Sequence, residues 1–138
     1  MKYTQEYIDK LTYGIIGCAI EVHRNLGPGL LESVYEKCFL KELFIRNFEF
    51  KSQVWLPLTY KGLDIESGLK PDVLIEDVII VEIKSVEIIL PVHQAQLLTY
   101  MKLLQKPKGI LINFNCTNIF KEGQRTLVNN LYGELPVR

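Results

Sequence analysis

The sequence predicts an α/β (α+β) fold in which a central mixed sheet of four strands is flanked by helices. Three observations support this class: two helical patterns open the chain, two-residue alternation begins at Phe48, and residues 78–83 are apolar on both faces. The last pattern is typical of a central strand covered on both sides. At 138 residues, 48% of them hydrophobic, the chain can bury a continuous core. We therefore expect one domain over residues 1–138, with two helices, three strands, a helix and a fourth strand in that order.

Two amphipathic helices are predicted at the start of the chain. Residues 5–24 carry apolar side chains at three- and four-residue steps, and Thr4 precedes them as a candidate N-cap. Gly27 ends this helix in the turn 27–29, and a second helix runs from Leu31 to about Arg46. The chain therefore opens as a helical hairpin.

Strands follow the helical hairpin. Residues 48–58 alternate between apolar and polar side chains, as a half-exposed strand does. Lys61 and Gly62 form a turn into a second strand that ends near Ile75. Glu76 and Asp77 then form a tight turn into the third strand, residues 78–83.

The last part of the chain predicts one more helix and one more strand. Pro91 suits the first turn of a helix. The side that this helix buries is predicted to comprise Ala95, Leu97, Leu98, Met101 and Leu104. Residues 109–114 form the fourth strand, and we expect the chain after Asn129 to be loosely held.

Composition limits the functions that the chain can perform. Sixteen basic and sixteen acidic side chains give no net charge, so nucleic-acid binding must depend on a local basic surface. The three cysteines are widely spaced and form no CxxC pair, which predicts reduced, mostly buried thiols. No segment has the ~20 apolar residues that cross a bilayer, and residues 1–7 lack a secretory pattern. We expect a cytoplasmic protein.

Charge interrupts the apolar strands at three positions. Asp72 immediately precedes a short apolar run, and Glu82 and Lys84 lie two residues apart in the central strand. Residues two apart project from the same face of a strand. Asp72 joins that face if the hairpin closes with a three-residue loop or a bulge, whereas a two-residue loop turns it to the opposite face. Both geometries are open at this point.

Two converging carboxylates predict a site for a hard divalent cation. Asp72 and Glu82, with the backbone carbonyl of Ile83, offer oxygen ligands suited to Mg²⁺ or Mn²⁺. Lys84 is then placed to polarise the attacking water or to stabilise charge on a phosphate. The alternative is a structural ion pair between Glu82 and Lys84, with Asp72 as a turn residue.

Four motifs resemble one nuclease superfamily. Pro71-Asp72 followed by Glu82-Ile83-Lys84 resembles the PD-(D/E)XK signature of metal-dependent nucleases. Residues 29–35, GLLESVY, match the motif that names the GxxExxY family, a branch of that superfamily. Residues 96–100, QLLTY, resemble the Gln-x-x-x-Tyr helix of its RecB-like members. The resemblance covers about Gly14 to Arg125.

The resemblance implies a PD-(D/E)XK nuclease-like core and roles for particular residues. Asp72 and Glu82 would bind the metal, Lys84 would be the catalytic lysine, and Glu32 would complete the metal shell directly or through water. Gln96 and Tyr100 would contact the substrate phosphate or steady the site. His93 shares their helical face, because steps of three and four bring side chains together. For His93, a solvent-facing position at the helix start is the alternative to phosphate contact.

Three functions compete at this stage. The first is a nuclease, a hydrolase that cleaves phosphodiester bonds in DNA or RNA with Mg²⁺ or Mn²⁺. The second is a non-catalytic module that binds nucleic acid or protein and retains the fold, which the neutral net charge favours. The third is a subunit that becomes active only with a larger protein partner, because 138 residues leave little surface for choosing a substrate. A homodimer is the other assembly that we consider.

Overall fold

A computed structural model describes residues 3–138 of the chain. Its helices are α1 (Gln5–Leu26), α2 (Glu32–Ile45), α3 (Pro91–Leu104), a π-helical turn (Ile119–Gly123) and the short α4 (Asn130–Gly133). None of the helices in this part of the chain is both long and apolar enough to cross a membrane. The three free cysteines are buried or half-buried, as the sequence predicts.

Local signals determine the ends of the first helix. The side chain of Thr4 accepts a hydrogen bond from the backbone N–H of Tyr7, which satisfies one of the unpaired donors of the first turn. Gly27, at φ 69°, ends the helix, and its N–H donates to the carbonyl of His23. The predicted helical hairpin of α1 and α2 is thereby confirmed.

Five strands form one mixed sheet, in the order β1 (Phe50–Ser52), β4 (Val73–Ile75), β5 (Ile79–Lys84), β6 (Lys108–Asn113) and β7 (Gln124–Val128). Only β5 and β6 run parallel, and the other neighbouring pairs are antiparallel. Two further strands, β2 (Leu58–Tyr60) and β3 (Leu63–Ile65), form a separate antiparallel hairpin. The predicted mixed sheet with flanking helices is confirmed.

The strand count and several strand bounds differ from the prediction. The predicted strand at residues 48–58 pairs with the main sheet only over β1, because the chain leaves the sheet at Gln53, where φ is 53°, and its last residue, Leu58, begins β2. The predicted second strand is two strands, β3 and β4, separated by a loop. The edge strand β7 was missed, since its alternation is weak. The terminal segment is not loose, because Gln5 and Glu6 donate backbone hydrogen bonds to its carbonyls.

The sheet buries a different hydrophobic cluster on each face. On one face, β5 and β6 pack with α1 and α2 around large side chains such as Tyr35, Phe39 and Phe114. On the other face, Leu74, Ile80 and Leu111 pack against α3. We call this second side the α3 face. Alternation along the strands assigns every charged side chain in the sheet to one of these two faces.

Candidate active site

The hairpin between β4 and β5 decides the position of Asp72. Ile75 pairs with Ile79, so three residues connect the strands, and two of them, Glu76 and Asp77, have φ values of 52° and 58°. Val73 pairs with Val81, and the same register brings Asp72 opposite Glu82. Of the two geometries that the sequence allowed, the chain therefore adopts the one in which the two acids meet.

Each acid is held by the backbone of the opposite strand. The backbone N–H of Asp72 donates to Oε2 of Glu82 at 2.6 Å, and the N–H of Ile83 donates to Oδ2 of Asp72 at 2.8 Å. Asp72 lies two residues before Leu74, and Glu82 lies two residues after Ile80, so both side chains belong to the α3 face. The two carboxylates are thereby fixed side by side at the end of the sheet.

Burial makes this pair of acids electrostatically unusual. Glu82 is only 5% exposed. Desolvation, together with the negative charge of Asp72, raises the pKa of Glu82 to about 8 despite the backbone hydrogen bond and the positive charge of Lys84. Desolvation also raises the pKa of Asp72, against the N–H of Ile83 and the charge of Lys84. The pair therefore retains a proton near neutral pH unless another cation takes its place.

Lys84 lies on the same face and supplies the nearby positive charge. It is half-buried, and its charge lowers the pKa of both acids. Its carbonyl accepts the N–H of Phe114 at 2.9 Å, which holds this end of β5 against β6. Within residues 3–138, Lys84 forms no direct ion pair with Glu82. The structure thus does not contain the ion pair of the alternative interpretation.

The turn between α1 and α2 brings Glu32 towards the acids. The Tyr35 hydroxyl donates to the carbonyl of Gly27 and accepts the N–H of Leu30, and the Ser85 hydroxyl donates to the Leu30 carbonyl at 2.7 Å. This network ties the turn to the end of β5. Glu32 is exposed at the first turn of α2, and its charge contributes to the raised pKa of Glu82.

Two polar residues near the acids were missed. Gln53 donates from its side chain to Glu36 at 2.8 Å, and its backbone N–H donates to the carbonyl of Asp72 at 2.8 Å. Burial, and then the charges of Asp72 and Glu32, raise the pKa of Glu36 against the Gln53 hydrogen bond. The four-residue step from Glu32 to Glu36 was a usable signal, since it places both on one side of a helix. Nothing in the sequence near Gln53 indicates its contact.

Of the three predicted residues on α3, one is buried beside the acids. Tyr100 is 4% exposed, and burial, followed by the charges of Glu82 and Asp72, raises its pKa. Gln96 is exposed one turn earlier. His93 caps the helix, because its Nδ1 accepts the N–H of Leu90 at 3.0 Å. The predicted buried side of α3 needs correction as well, since Ala95 is exposed, Leu98 is 41% exposed and Tyr100 lies inside.

Comparison with known families identifies the superfamily of the chain. A sequence model described as the PD-(D/E)XK nuclease superfamily matches residues 9–126. The chain belongs to the PD-(D/E)XK nuclease superfamily. Comparisons with curated proteins and with solved structures found no match. Membership indicates nuclease activity and interaction with nucleic acid, and the matched span includes both acids, Lys84 and Glu32.

Members of the superfamily usually use a divalent metal, and the donor set of this chain can be tested against one. No group of three His, Cys, Asp or Glu side chains in residues 3–138 is arranged to hold a metal ion. Mg²⁺, however, is commonly held by one or two carboxylates and completes its shell with water and substrate phosphate. Asp72 and Glu82 each use one oxygen for a backbone N–H, and a cation beside them would offset the burial and the charge of Asp72 that raise the pKa of Glu82. The pair therefore fits Mg²⁺ or Mn²⁺.

An open cavity of about 710 Å³ lies elsewhere on the molecule. Tyr3, Tyr7, Phe48 and the turn residues Glu76 and Asp77 are among the residues that line it. That turn is at the opposite end of β4 from Asp72. The site is thus defined by its acids and Lys84 rather than by a deep pocket.

Proposed function

We propose that the protein is a metal-dependent nuclease that hydrolyses phosphodiester bonds in DNA, with RNA as the second candidate substrate. The observation that carries this proposal is the pair formed by Asp72 and Glu82, which lie opposite each other with one oxygen of each held by a backbone N–H. Superfamily membership supports the same reaction class. We also assign the chain to the GxxExxY branch and to the RecB-like group, on residues 29–35 and 96–100.

Asp72 and Glu82 are the proposed metal ligands, together with the carbonyl of Ile83. Mg²⁺ or Mn²⁺ bound there would supply an activated water and neutralise charge on the phosphate. Glu32 is exposed at the first turn of α2 and does not form a group of three metal-binding side chains with the two acids in residues 3–138, so we assign it to the outer shell, where it acts through water. Its charge influences Glu82, as this role requires.

The remaining roles follow from position. Lys84, on the face of the two acids, orients the attacking water or stabilises charge on the phosphate oxygens. Tyr100 is buried beside the acids and steadies them, whereas the exposed Gln96 is available to the substrate. His93 is the weakest candidate for substrate contact, because its Nδ1 already caps α3.

A non-catalytic module that binds nucleic acid or protein is the second candidate function. The observation in its favour is the absence, in the part of the chain that the structure describes, of a ready-made group of three metal-binding side chains. A cytoplasmic location and assembly as a homodimer or with a larger protein are also proposals.

A cleavage assay separates the two candidates. Plasmid, linear duplex, single-stranded DNA and RNA are incubated with the purified protein in Mg²⁺, Mn²⁺ or EDTA, beside Lys84→Ala and Glu82→Gln prepared identically. Metal-dependent cleavage by the wild type alone supports the nuclease. Nucleic-acid binding without cleavage in every metal supports the module. Equal cleavage by all three proteins reveals a contaminant and removes the support for the nuclease.

A further inference from the structure

The excursion between β1 and β4 forms an arm outside the main sheet. We define the arm as residues 55–70, which contain β2, β3 and the turn at Lys61 and Gly62. Its two strands pair with each other over three residues each and with no strand of the main sheet. An isolated two-stranded hairpin is only marginally stable in water. In the described residues the arm gains support only at its base, where Leu56 is buried in the hydrophobic cluster of the α3 face.

One face of the arm is apolar and exposed. Leu58 pairs with Ile65, and Tyr60 pairs with Leu63, so the four side chains share a face. Tyr60 and Leu63 are 60% and 61% exposed. The polar pair of Thr59 and Asp64, bonded at 3.0 Å, occupies the opposite face. The exposed apolar surface therefore comes from the alternation of the strands and not from a chance side chain.

A lysine ammonium group lies over each of the two exposed aromatic rings of the arm. Trp55 is 61% exposed, and Nζ of Lys70 lies 4.6 Å from the centre of its ring. Nζ of Lys61 lies 5.4 Å from the centre of the Tyr60 ring. Rings that stack on bases, next to cations that meet phosphates, are the elements with which proteins bind single-stranded nucleic acid.

The base of the arm is joined to the candidate active site. The N–H of Leu56 donates to the carbonyl of Leu69 at 3.0 Å, and Leu56 is buried in the hydrophobic cluster that contains Tyr100. Lys70 lies two residues before Asp72, so their Cα atoms are at most about 7 Å apart. A nucleic-acid strand bound along the arm would continue directly to Asp72 and Glu82.

We propose that the arm binds unpaired nucleotides of the nucleic acid that is cleaved at Asp72 and Glu82. Bases stack on Trp55 and Tyr60, and Lys70 and Lys61 meet the adjoining phosphates. This inference rests on the proposed nuclease function and adds its substrate class, a single strand or a single-stranded tail. The rings cannot stack on bases inside an intact duplex, because these bases are already stacked on one another. The cations beside both rings favour a polyanion over a second copy of the chain.

Trp55 is the only tryptophan in the chain, so its fluorescence reports on the arm alone. We would titrate Lys84→Ala, in EDTA and in Ca²⁺, with oligothymidylate of about twelve nucleotides, within the range of known single-strand site sizes. The expected result is saturable quenching by the single strand and little change with a blunt duplex of equal length. Equal quenching by both, or none by either, would overturn the proposal.

Variants then measure binding with a labelled oligothymidylate. Trp55→Ala should weaken single-strand binding by about five- to a hundredfold, as expected for loss of one stacked base. Tyr13→Ala is the matched control, because Tyr13 is 84% exposed on α1, outside the arm. Lys70→Ala should reduce the slope of log affinity against log salt by about 0.7. Unchanged affinity in Trp55→Ala would rule out the arm as the single-strand binding site even if the protein cleaves DNA.

Glu66 provides a test of charge sign. It lines an open cleft of about 650 Å³ together with Trp55, so its carboxylate opposes a polyanion there. Glu66→Gln should therefore tighten single-strand binding, and weaker binding would contradict the proposal. A concentration-dependent Trp55 shift without nucleic acid, lost in Leu63→Ser, would instead identify self-association and overturn it. The binding experiments could meet every expectation while the wild type and Lys84→Ala show equal cleavage. In that case the arm would stand as a single-strand binding site, and the nuclease assignment would fail.

Discussion

The central strands bury charged side chains near both ends of the sheet. At one end the buried charge has an oppositely charged partner, and at the other end two acids lie side by side. At the start of β6, Lys108 is 5% exposed, and its Nζ donates to Asp9 at 3.0 Å and lies 5.5 Å from the centre of the Tyr132 ring. Towards the end of β5, Asp72 and Glu82 converge, and Lys84 forms no ion pair with Glu82.

The pKa values of the acids express this difference. Burial tends to raise the pKa of Asp9, but the hydrogen bonds from Lys108 and Tyr132 bring it below its ordinary value. Burial and the second acid instead raise the pKa of Glu82 to about 8. A buried charge with its partners satisfied serves the fold, whereas a buried charge left uncompensated is typical of a functional site. We therefore assign the Lys108 end to stability and the Glu82 end to chemistry.

The largest expected difference between the two ends concerns the two lysines. Lys84→Ala should lower cleavage by at least about a hundredfold, since it removes charge stabilisation at the phosphate while both acids stay in place. Its Tm should remain close to that of the wild type. Lys108→Met should keep its cleavage rate per folded molecule but melt earlier. Cleavage rates and thermal melts of both variants test this, and undiminished turnover in Lys84→Ala would remove that lysine from the mechanism.

Metal should stabilise one end only. Mn²⁺ or Mg²⁺ at a hundredfold excess over Kd should add about 2.7 kcal/mol to the free energy of unfolding, because it binds the folded state. Asp72→Asn and Glu82→Gln should lose most of this gain, and Asp9→Asn should retain it. Thermal melts with EDTA and with metal measure the effect. A wild type with the same Tm in both would defeat the metal site.

Removing one negative charge should have opposite signs at the two ends. Without metal and near neutral pH, Glu82→Gln should stabilise the protein by about 1 kcal/mol or more, because the neutral amide removes the cost of burying and protonating the Glu82 carboxyl. Asp9→Asn should destabilise it by about 1 kcal/mol, because the buried ammonium of Lys108 exchanges a charged hydrogen-bond partner, itself half-exposed, for a neutral amide oxygen. Urea unfolding in EDTA compares the two variants. A change in the free energy of unfolding with the same sign in both would contradict the difference between the two ends.

The two ends should also respond oppositely to pH. Because the folded pKa of Glu82, about 8, exceeds its ordinary value, the folded state holds a proton that the unfolded state releases. Stability should therefore fall as pH rises from about 4.5 to about 8. This fall should be smaller in Glu82→Gln. The lowered pKa of Asp9 instead gives stability that is present above its unfolded pKa and lost in acid. Both effects can be measured as the free energy of unfolding in urea between pH 3 and pH 9, in EDTA.

Local signals predicted much of this molecule. Thr4 and Gly27 define the ends of α1 because capping bonds and a positive φ depend on a few neighbouring residues. The two-residue period of a strand places Glu82 and Lys84 on one face wherever that strand lies in the fold. For the same reason, charge within an apolar run could be recognised as a candidate site before any contact was known.

Tertiary structure decided which residues join that site. The connection through Glu76 and Asp77 has three residues, and this choice turns Asp72 towards Glu82 rather than away from it. Gln53 reaches the site because the chain leaves β1 at a positive φ. The sequence by itself therefore determined the three long helices, the faces of the strands and the candidate acids, whereas the π-helical turn and α4 were not predicted. The meeting of those acids, and the arm beside them, depended on the length of the turns that join the paired strands, which periodicity within a strand does not encode.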